Sequence, residues 1–190
     1  MEKINFRSKA PVRTYSGKKY TNYRKYKPYL KEDFNGRCGY TDCSQLWFGG
    51  SNSFHIDHFK PKSIYPHLET EYANLVYSCS YVNIAKGDDD SDYLDPCEDD
   101  YNYHFYRDKV GNIFPMAQSV KANYMFSKMK LYLKRYSVIY MLDFLRQKMS
   151  LISEMISDMK DGKDKKELLI LQGELAVEFL EYLKYLEVEQ

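Results

Sequence analysis

A short segment in the first half of the chain constrains its fold and chemistry more than any other feature. Residues 55–63 read His-Ile-Asp-His-Phe-Lys-Pro-Lys-Ser, and Asn74, Asn83 and Lys86 follow further along the chain. A hard divalent cation binds carboxylate and amide oxygens and keeps its other positions for water and phosphate. An imidazole titrates near neutral pH and can take a proton from an attacking water. An Asp-His pair followed by two spaced Asn residues therefore indicates a one-metal phosphodiester-cleaving site.

Over residues 34–105 this order resembles the HNH (His-Me finger) endonucleases, in which two strands and a helix surround one metal ion. The resemblance implies that Asp57 binds the metal and that His58 is the general base. It implies that Asn74 steadies the loop carrying the base, and that Asn83, in place of the motif's last His, completes the metal site. Lys86 follows Asn83 by one helical turn, so we expect it to reach a phosphate oxygen. Mg²⁺ is the expected ion, with Mn²⁺ as a substitute.

Each of these residues also has a purely structural interpretation. An Asp-His pair at a strand end is commonly a hydrogen-bonded surface pair, and Asn residues often occupy turns or cap helices. The joint spacing favours the catalytic interpretation. His55 alternates onto the same side of a predicted strand as Asp57. It could contact the metal or the phosphate, or it could be a buried neutral histidine bonded to a carbonyl, and the sequence leaves both open.

The cysteines depart from the resembled family, many of whose members carry two Cys-x-x-Cys zinc knuckles. The first knuckle would begin at Cys38, but Thr41 occupies its second ligand position. The second knuckle would begin at Cys79, but Val82 occupies its second ligand position. A structural zinc needs four ligands in a closed tetrahedron, and neither Thr nor Val supplies a thiolate. We expect no structural Zn²⁺ and a knuckle held by packing, with Cys38 and Cys79 as remnants. A rearranged site remains the alternative, using the two other thiols, Cys43 and Cys97.

The N-terminal segment is strongly basic. Residues 1–31 contain ten Lys or Arg residues against the single acid Glu2, interleaved with five tyrosines. Cations that displace counterions, next to aromatic rings, are typical of a nucleic-acid-binding arm. A tail that only solubilises the protein is the alternative. The candidate nucleic-acid contacts lie in this arm and in the motif itself: Lys18, Lys19, Arg24, Lys25, Lys60 and Lys62.

An acidic segment and a helical segment follow the motif. Eight acids fall within residues 88–100, without EF-hand spacing, which predicts a solvated loop that could pair with the basic arm. From Val138 to Met159, apolar residues recur at alternating steps of four and three, and a second such pattern runs from Leu168 to Leu186. This spacing predicts two amphipathic helices joined by a short polar loop, and so an antiparallel hairpin.

These features predict an α+β protein with three parts. The first is a basic, Tyr-rich arm over residues 1–33, and the second is a ββα-metal (HNH) nuclease core over 34–115. The third, over 116–190, is a helical hairpin whose apolar stripe, including Tyr140 and Phe144, should pack on the core, a second copy or another protein. The predicted reaction is hydrolysis of a nucleic-acid phosphodiester, with DNA favoured over RNA.

Within the HNH proteins, the run Ile-Asp-His-Phe-Lys-Pro-Lys-Ser and the segment Leu94-Asp95-Pro96 resemble bacterial anti-phage defence nucleases of the Septu and retron-associated type. That resemblance implies an ATPase partner. A decayed HNH core that serves as a nucleic-acid-binding adaptor or assembly subunit is the alternative, and a purely helical interaction protein is a third. No apolar run approaches the ~18 residues of a membrane span, and no signal segment is recognisable, so we expect a cytoplasmic protein with no membrane partner.

Overall fold

The computed structural model describes residues 2–188 and divides into two compact units, Met1–Leu133 and Lys134–Gln190. The described residues form a mixed α/β structure with five α-helices and five short strands. The first unit contains β1 (Ile4–Asn5), α1 (Lys27–Asp33), β2 (Phe54–His58), β3 (Leu75–Cys79), α2 (Ser80–Lys86), β4 (Phe105–Arg107), β5 (Ile113–Pro115) and α3 (Val120–Lys128). The second contains α4 (Lys134–Ser157) and α5 (Lys163–Val188).

The hairpin of β2 and β3 carries the motif predicted from the sequence. The two strands are antiparallel, with Phe54 opposite Cys79 and His58 opposite Leu75. All five residues of β3 (Leu-Val-Tyr-Ser-Cys) are buried, as expected for an apolar strand covered on both faces. Helix α2 begins directly after β3 and ends at Gly87, whose φ of +56° favours glycine. Two strands and a helix therefore follow one another without an intervening domain.

A second sheet, in the order β1-β4-β5, contains the largest fully buried cation of the first unit. Arg107 on β4 is only 1% exposed. Its guanidinium donates hydrogen bonds to the carbonyl oxygens of Phe6, Thr41 and Gly111. Three backbone segments that are distant in the sequence are thereby tied together, and the desolvated charge is matched by acceptors.

Part of the basic N-terminal segment is built into the interior of the first unit. Arg7 is 3% exposed and donates to the carbonyl oxygens of Gly39 and Pro96. Arg13 forms a two-pronged ion pair with Asp95, with N–O distances of 3.0 and 3.1 Å. These two cations connect the segment to the residues around the motif, so they serve the fold and are not available to an external phosphate.

The acidic segment is less solvated than predicted. Asp95 is 8% exposed, and Asp89 accepts hydrogen bonds from the hydroxyls of Ser91, Tyr93 and Tyr124. The prediction of a solvated loop is therefore wrong for these two carboxylates, because nearby hydroxyls and Arg13 replace their water. The predicted pairing of this segment with the basic one occurs at Asp95.

The second unit is an antiparallel hairpin of α4 and α5. Gln172 on α5 donates to Ser153 on α4, and the Lys134 ammonium lies 5.9 Å from the centre of the Tyr185 ring. Contacts near both ends fix the antiparallel direction, in the place where the apolar repeats predicted two helices. The additional helix α3 was not predicted. No helix among residues 2–188 combines the length and apolar character needed to cross a bilayer.

Candidate active site

Asp57 lies at the centre of a buried polar cluster. Its side chain is buried near the end of β2, where Oδ2 accepts a hydrogen bond of 2.6 Å from the Tyr40 hydroxyl. The Lys86 ammonium lies 3.3 Å from both carboxylate oxygens. Burial raises the pKa of Asp57 above its ordinary value, and the Lys86 charge and the Tyr40 hydrogen bond oppose that rise. The carboxylate therefore has two partners that stabilise its ionised form.

Lys86 faces the interior and not the surface. It is 1% exposed, and besides Asp57 its ammonium donates a 2.8 Å hydrogen bond to the carbonyl oxygen of His58. The sequence led us to expect this side chain on a phosphate oxygen. In the structure, the buried side of α2 directs it to the end of β2, where it balances a carboxylate and fixes the backbone of the neighbouring histidine.

His58 is held in a single tautomer by its surroundings. Its Nε2 atom lies 2.9 Å from the carbonyl oxygen of Glu69, which can only accept, so Nε2 carries the hydrogen. Nδ1 is left with a lone pair. The Tyr23 ring packs edge-on against the imidazole at 4.7 Å between centroids. Burial lowers the pKa of His58 below its ordinary value, so the neutral form, which can accept a proton, predominates at neutral pH.

Asn74 ties together the loop that follows His58. Its Oδ1 atom accepts a hydrogen bond from the backbone N–H of Lys60. Its Nδ2 atom donates to the carbonyl oxygens of Lys60 and Leu68. All three bonds act on the segment between the histidine and the Glu69 carbonyl that orients it. Asn74 is thus in a position to control the geometry of the imidazole without touching it.

Asn83 and His55 form a pair at the edge of the cluster. Nδ2 of Asn83 donates to Nδ1 of His55 across 3.2 Å. This hydrogen bond uses the amide nitrogen of Asn83, so its Oδ1 atom can bind another partner. His55 is exposed, so of its two predicted environments the buried one is wrong. The second turn of α2 thus carries Asn83 on its open side and Lys86 on its buried side.

A cavity of about 220 Å³ brings these groups to one place. Asp57, His58 and Asn83 line it, together with Lys62 and Asp88. Carboxylate and amide oxygens are suitable donors for Mg²⁺, which is typically held by one or two carboxylates and keeps several waters. Asp57 and the Asn83 Oδ1 fit that chemistry, with Asp88 as a further carboxylate on the wall. Lys86 and Tyr40 occupy only part of the acceptor capacity of Asp57.

The predicted nucleic-acid contacts divide into two groups. Three form ion pairs within the chain: Lys19 with Glu71, Lys60 with Asp90 and Lys62 with Glu69. Among the interactions of residues 2–188, the other three have no carboxylate partner: Lys18, Arg24 and Lys25. The second group carries the charge that remains uncompensated.

Cys38 and Cys79, which the resemblance identifies as knuckle remnants, are both buried. The thiols of Cys38 and Cys79 hydrogen-bond to each other, and Cys38 also contacts Thr41. Burial raises the pKa of the nearby Cys43 thiol to about 12. Within residues 2–188 no group of three or more His, Cys, Asp or Glu side chains is arranged to hold a metal ion. The expectation that the chain binds no structural zinc stays a prediction.

Sequence reasoning missed three residues of this site. Tyr40 was not assigned to the site, Asp88 was treated only as part of a solvated loop, and Tyr23 was one of several tyrosines in the basic segment. Tyr40 carried one signal, its position two residues after Cys38 in the segment where the resemblance implies a zinc knuckle. Nothing in the sequence distinguishes Tyr23 from the other 19 tyrosines.

Comparison with known proteins finds a partial relative. Over 69 residues the chain is 38% identical to the Septu protein PtuB of Bacillus thuringiensis. The matched segment makes up 34% of this chain and 26% of that protein, so it spans about a quarter of the relative's length. No family model matches the chain, and no solved structure matches it. The similarity covers a part of each protein and leaves the activity of this chain to be inferred from its own site.

Proposed function

We propose that this chain is a metal-dependent HNH endonuclease with a ββα-metal core, which hydrolyses phosphodiester bonds in DNA in preference to RNA. The observation that carries the proposal is the state of His58. One ring nitrogen is fixed on a backbone carbonyl, and the other keeps its lone pair beside a cavity lined by Asp57 and Asn83. A neutral, oriented imidazole next to hard oxygen donors is the arrangement that metal-assisted hydrolysis requires.

The side chains divide the work as follows. Nδ1 of His58 takes the proton of the water that attacks phosphorus, and Asn74 holds the loop that keeps the imidazole in position. Asp57 and Asn83 would hold Mg²⁺, and His55 orients the Asn83 amide so that its oxygen is available. When bound, the ion would stabilise negative charge on the phosphate and on the leaving 3′ oxygen.

Replacement of the base tests the proposal directly. His58→Ala should lower the cleavage rate roughly 10²–10⁴-fold, because general-base catalysis contributes about that much. Nucleic-acid binding should persist, since it rests on the basic residues. The matched control is His67→Ala, which removes an exposed imidazole from the same connection between β2 and β3.

The assay uses purified protein with DNA and with RNA, in Mg²⁺, in Mn²⁺ and in EDTA. Unchanged cleavage in EDTA would contradict the metal-dependent mechanism. Near-normal cleavage by His58→Ala would remove the assignment of the base. Faster cleavage of RNA than of DNA would reverse the substrate preference.

A catalytically decayed adaptor is the second candidate, and one observation favours it. Both oxygens of Asp57 already have partners in Lys86 and Tyr40, as a purely structural carboxylate would. An adaptor would bind nucleic acid without cutting it under any metal condition. It would also give no change in protein signal on titration with Mn²⁺, which separates it from a nuclease that is merely inactive without its partner.

We further propose that the nuclease is the effector of an anti-phage defence system and acts with an ATPase partner. The similarity to the Septu protein supports the defence role. The second unit supports a docking role, because α5 leaves apolar side chains in solvent, with Ile170 64% and Val177 63% exposed. Ile170 and Val177 lie two helical turns apart on one side of α5, and apolar surface exposed in this way is typical of protein interfaces.

Light scattering of the protein, alone and with the product of its neighbouring gene, tests the docking role. Val177→Glu should abolish assembly, whereas Glu178→Lys, on another side of α5, should not. If the protein assembled only with a second copy of itself, the proposal of an ATPase partner would be wrong. A monomer that binds nothing would reduce the hairpin to an internal support.

A further inference from the structure

A second cavity, of about 400 Å³, adjoins the one that contains His58. The two share Tyr23, Ile56 and Asn83 in their walls, so they are immediate neighbours. The second is also lined by Arg24 and Lys27, from the segment that precedes the motif. Its place beside the candidate base means that a strand bound at the first cavity would pass over or into the second.

Two cations in this wall have no anionic partner. Among the described interactions, Arg24 and Lys27 form no ion pair and donate no side-chain hydrogen bond. In contrast, Lys60 and Lys62, which follow His58 in the sequence, each form an ion pair with a carboxylate. Cations that lack a partner in the folded chain retain their capacity to bind an external anion, since no internal pair has to be broken first.

Other features of the cavity are also suited to an anion. Nδ1 of His55 accepts from Asn83, so its other ring nitrogen carries a hydrogen and is a donor. Tyr23 adds an aromatic surface of the kind on which a base or a sugar packs. Burial lowers the pKa of Lys27 below its ordinary value, which an approaching anion would reverse.

We propose that this second cavity binds the backbone phosphate next to the scissile one, with Lys27 and Arg24 as its cationic ligands. The proposal rests on the proposed nuclease function, and the ligand is a nucleic-acid phosphodiester. The cavity would then set the direction in which a strand enters the site. This role would also explain why two cations that are remote from the motif in the sequence line a cavity next to the candidate base.

Binding is measured without cleavage, so that this proposal can fail separately from the nuclease. A fluorescein-labelled 12-nucleotide DNA strand is titrated in EDTA, and anisotropy is followed at several salt concentrations. Lys27→Ala and Arg24→Ala should each weaken binding about tenfold, since each removes a charged hydrogen bond. Each should also reduce the slope of log K against log salt by about 0.7, the single-strand value for one phosphate contact.

Lys31→Ala is the matched control. It removes the same charge from the same helix, one turn further on, but Lys31 does not line the cavity. The DNA affinity of Lys31→Ala should stay within about twofold of that of the unchanged protein. Lys27→Arg should restore most of the affinity, which separates a phosphate contact from a loss of folding.

Competition with short ligands identifies the phosphate involved. A dinucleotide with one internal phosphate is compared with the same dinucleotide carrying a second, terminal phosphate. The added phosphate should strengthen competition about tenfold with the unchanged protein and have little effect with Lys27→Ala. Equal competition by inorganic phosphate alone would overturn a backbone subsite.

Two further outcomes are decisive. If Lys27→Ala and Lys31→Ala bind alike, the subsite is wrong while the nuclease assignment stands. If the salt slope falls as expected but no metal supports cleavage, the cavity remains a binding site for a nucleic-acid phosphate, while its place next to a scissile phosphate and the nuclease assignment both fail.

Discussion

Replacing Lys86 by Met tests whether this lysine serves the fold or the substrate. The substitution keeps an unbranched side chain, shorter by one heavy atom, and removes its charge. In the structure the side chains of Lys86 and Asp57 are 0% and 6% exposed, so the change leaves a buried carboxylate without its cation. It also removes the donor to the carbonyl oxygen of His58. Both effects destabilise the folded state.

The expected size of the effect follows from the burial of the pair. Removing one partner of a buried ion pair costs about 3–5 kcal/mol, because an uncompensated charge remains. With a urea dependence of about 2 kcal/mol/M, the unfolding midpoint should fall by roughly 1.5–2.5 M. The double variant Asp57→Asn/Lys86→Met should recover much of this loss, since it leaves neither charge buried alone.

Urea unfolding followed by tryptophan fluorescence provides the assay. Trp47 is the single tryptophan of the chain and lies in the same unit as the site. The matched control is Lys121→Met, which breaks an exposed ion pair with Asp92 of 2.8 Å and should cost at most about 1 kcal/mol. Equal stability of the two variants would refute the structural role. If Lys86→Met then bound DNA more weakly, the sequence-based expectation of a phosphate contact would be right.

Three further predictions concern acid–base behaviour, the loop and the cysteines. Because the pKa of His58 lies below 6.5, the acid limb of kcat/KM should fall below pH 6.5. As the unfolded chain protonates this histidine first, stability should decrease from about pH 6.5 downward. Asn74→Ala should cost about 2–4 kcal/mol in urea unfolding through three lost hydrogen bonds, and slow cleavage. Metal analysis should give well under one zinc per chain; a stoichiometric zinc lost in Cys38→Ser would contradict this.

The grouping of the motif residues could be predicted because their spacing matches local structure. Asp57 and His58 end one strand, Asn74 precedes the next, and Asn83 lies on the helix directly after it. A hairpin followed directly by a helix brings such residues together mainly through contacts between elements that are neighbours in the sequence. The two long helices were predictable for a related reason, since a repeat of apolar residues over many turns identifies a helix whatever it packs on.

The direction of the lysine and the roles of two tyrosines could not be predicted. Lys86 and Asn83 are one turn apart, and whether each faces inward or outward depends on which side of α2 is covered. Tyr40 and Tyr23 reach Asp57 and His58 from segments 17 and 35 residues away. Such contacts are set by tertiary packing, which composition and spacing do not encode.

The composition of the basic segment also could not show which of its cations stabilise the fold and which could bind nucleic acid. Arg7 and Arg13 were indistinguishable in sequence from Arg24 and Lys27. The first two find buried carbonyls or a carboxylate, and the last two find none within the described residues. The tertiary positions of buried acceptors therefore decide which cations can bind an external phosphate. Lys27 was missed for that reason.

The turn after Cys38 links the buried cysteines to the candidate active site. Gly39 is required there, since a Cβ would lie 2.8 Å from atoms of both Phe34 and Val76, and its N–H donates to the carbonyl of Tyr77 on β3. This close approach of turn and strand is what brings the hydroxyl of Tyr40 to Asp57. Packing, the bond to Tyr77 and the hydrogen bonds from Arg7 and Arg107 to carbonyl oxygens of this turn thus hold it in place. Because these contacts fix the turn without a metal ion, the Thr41 and Val82 that stand where thiolates were considered are no argument against the proposed catalysis.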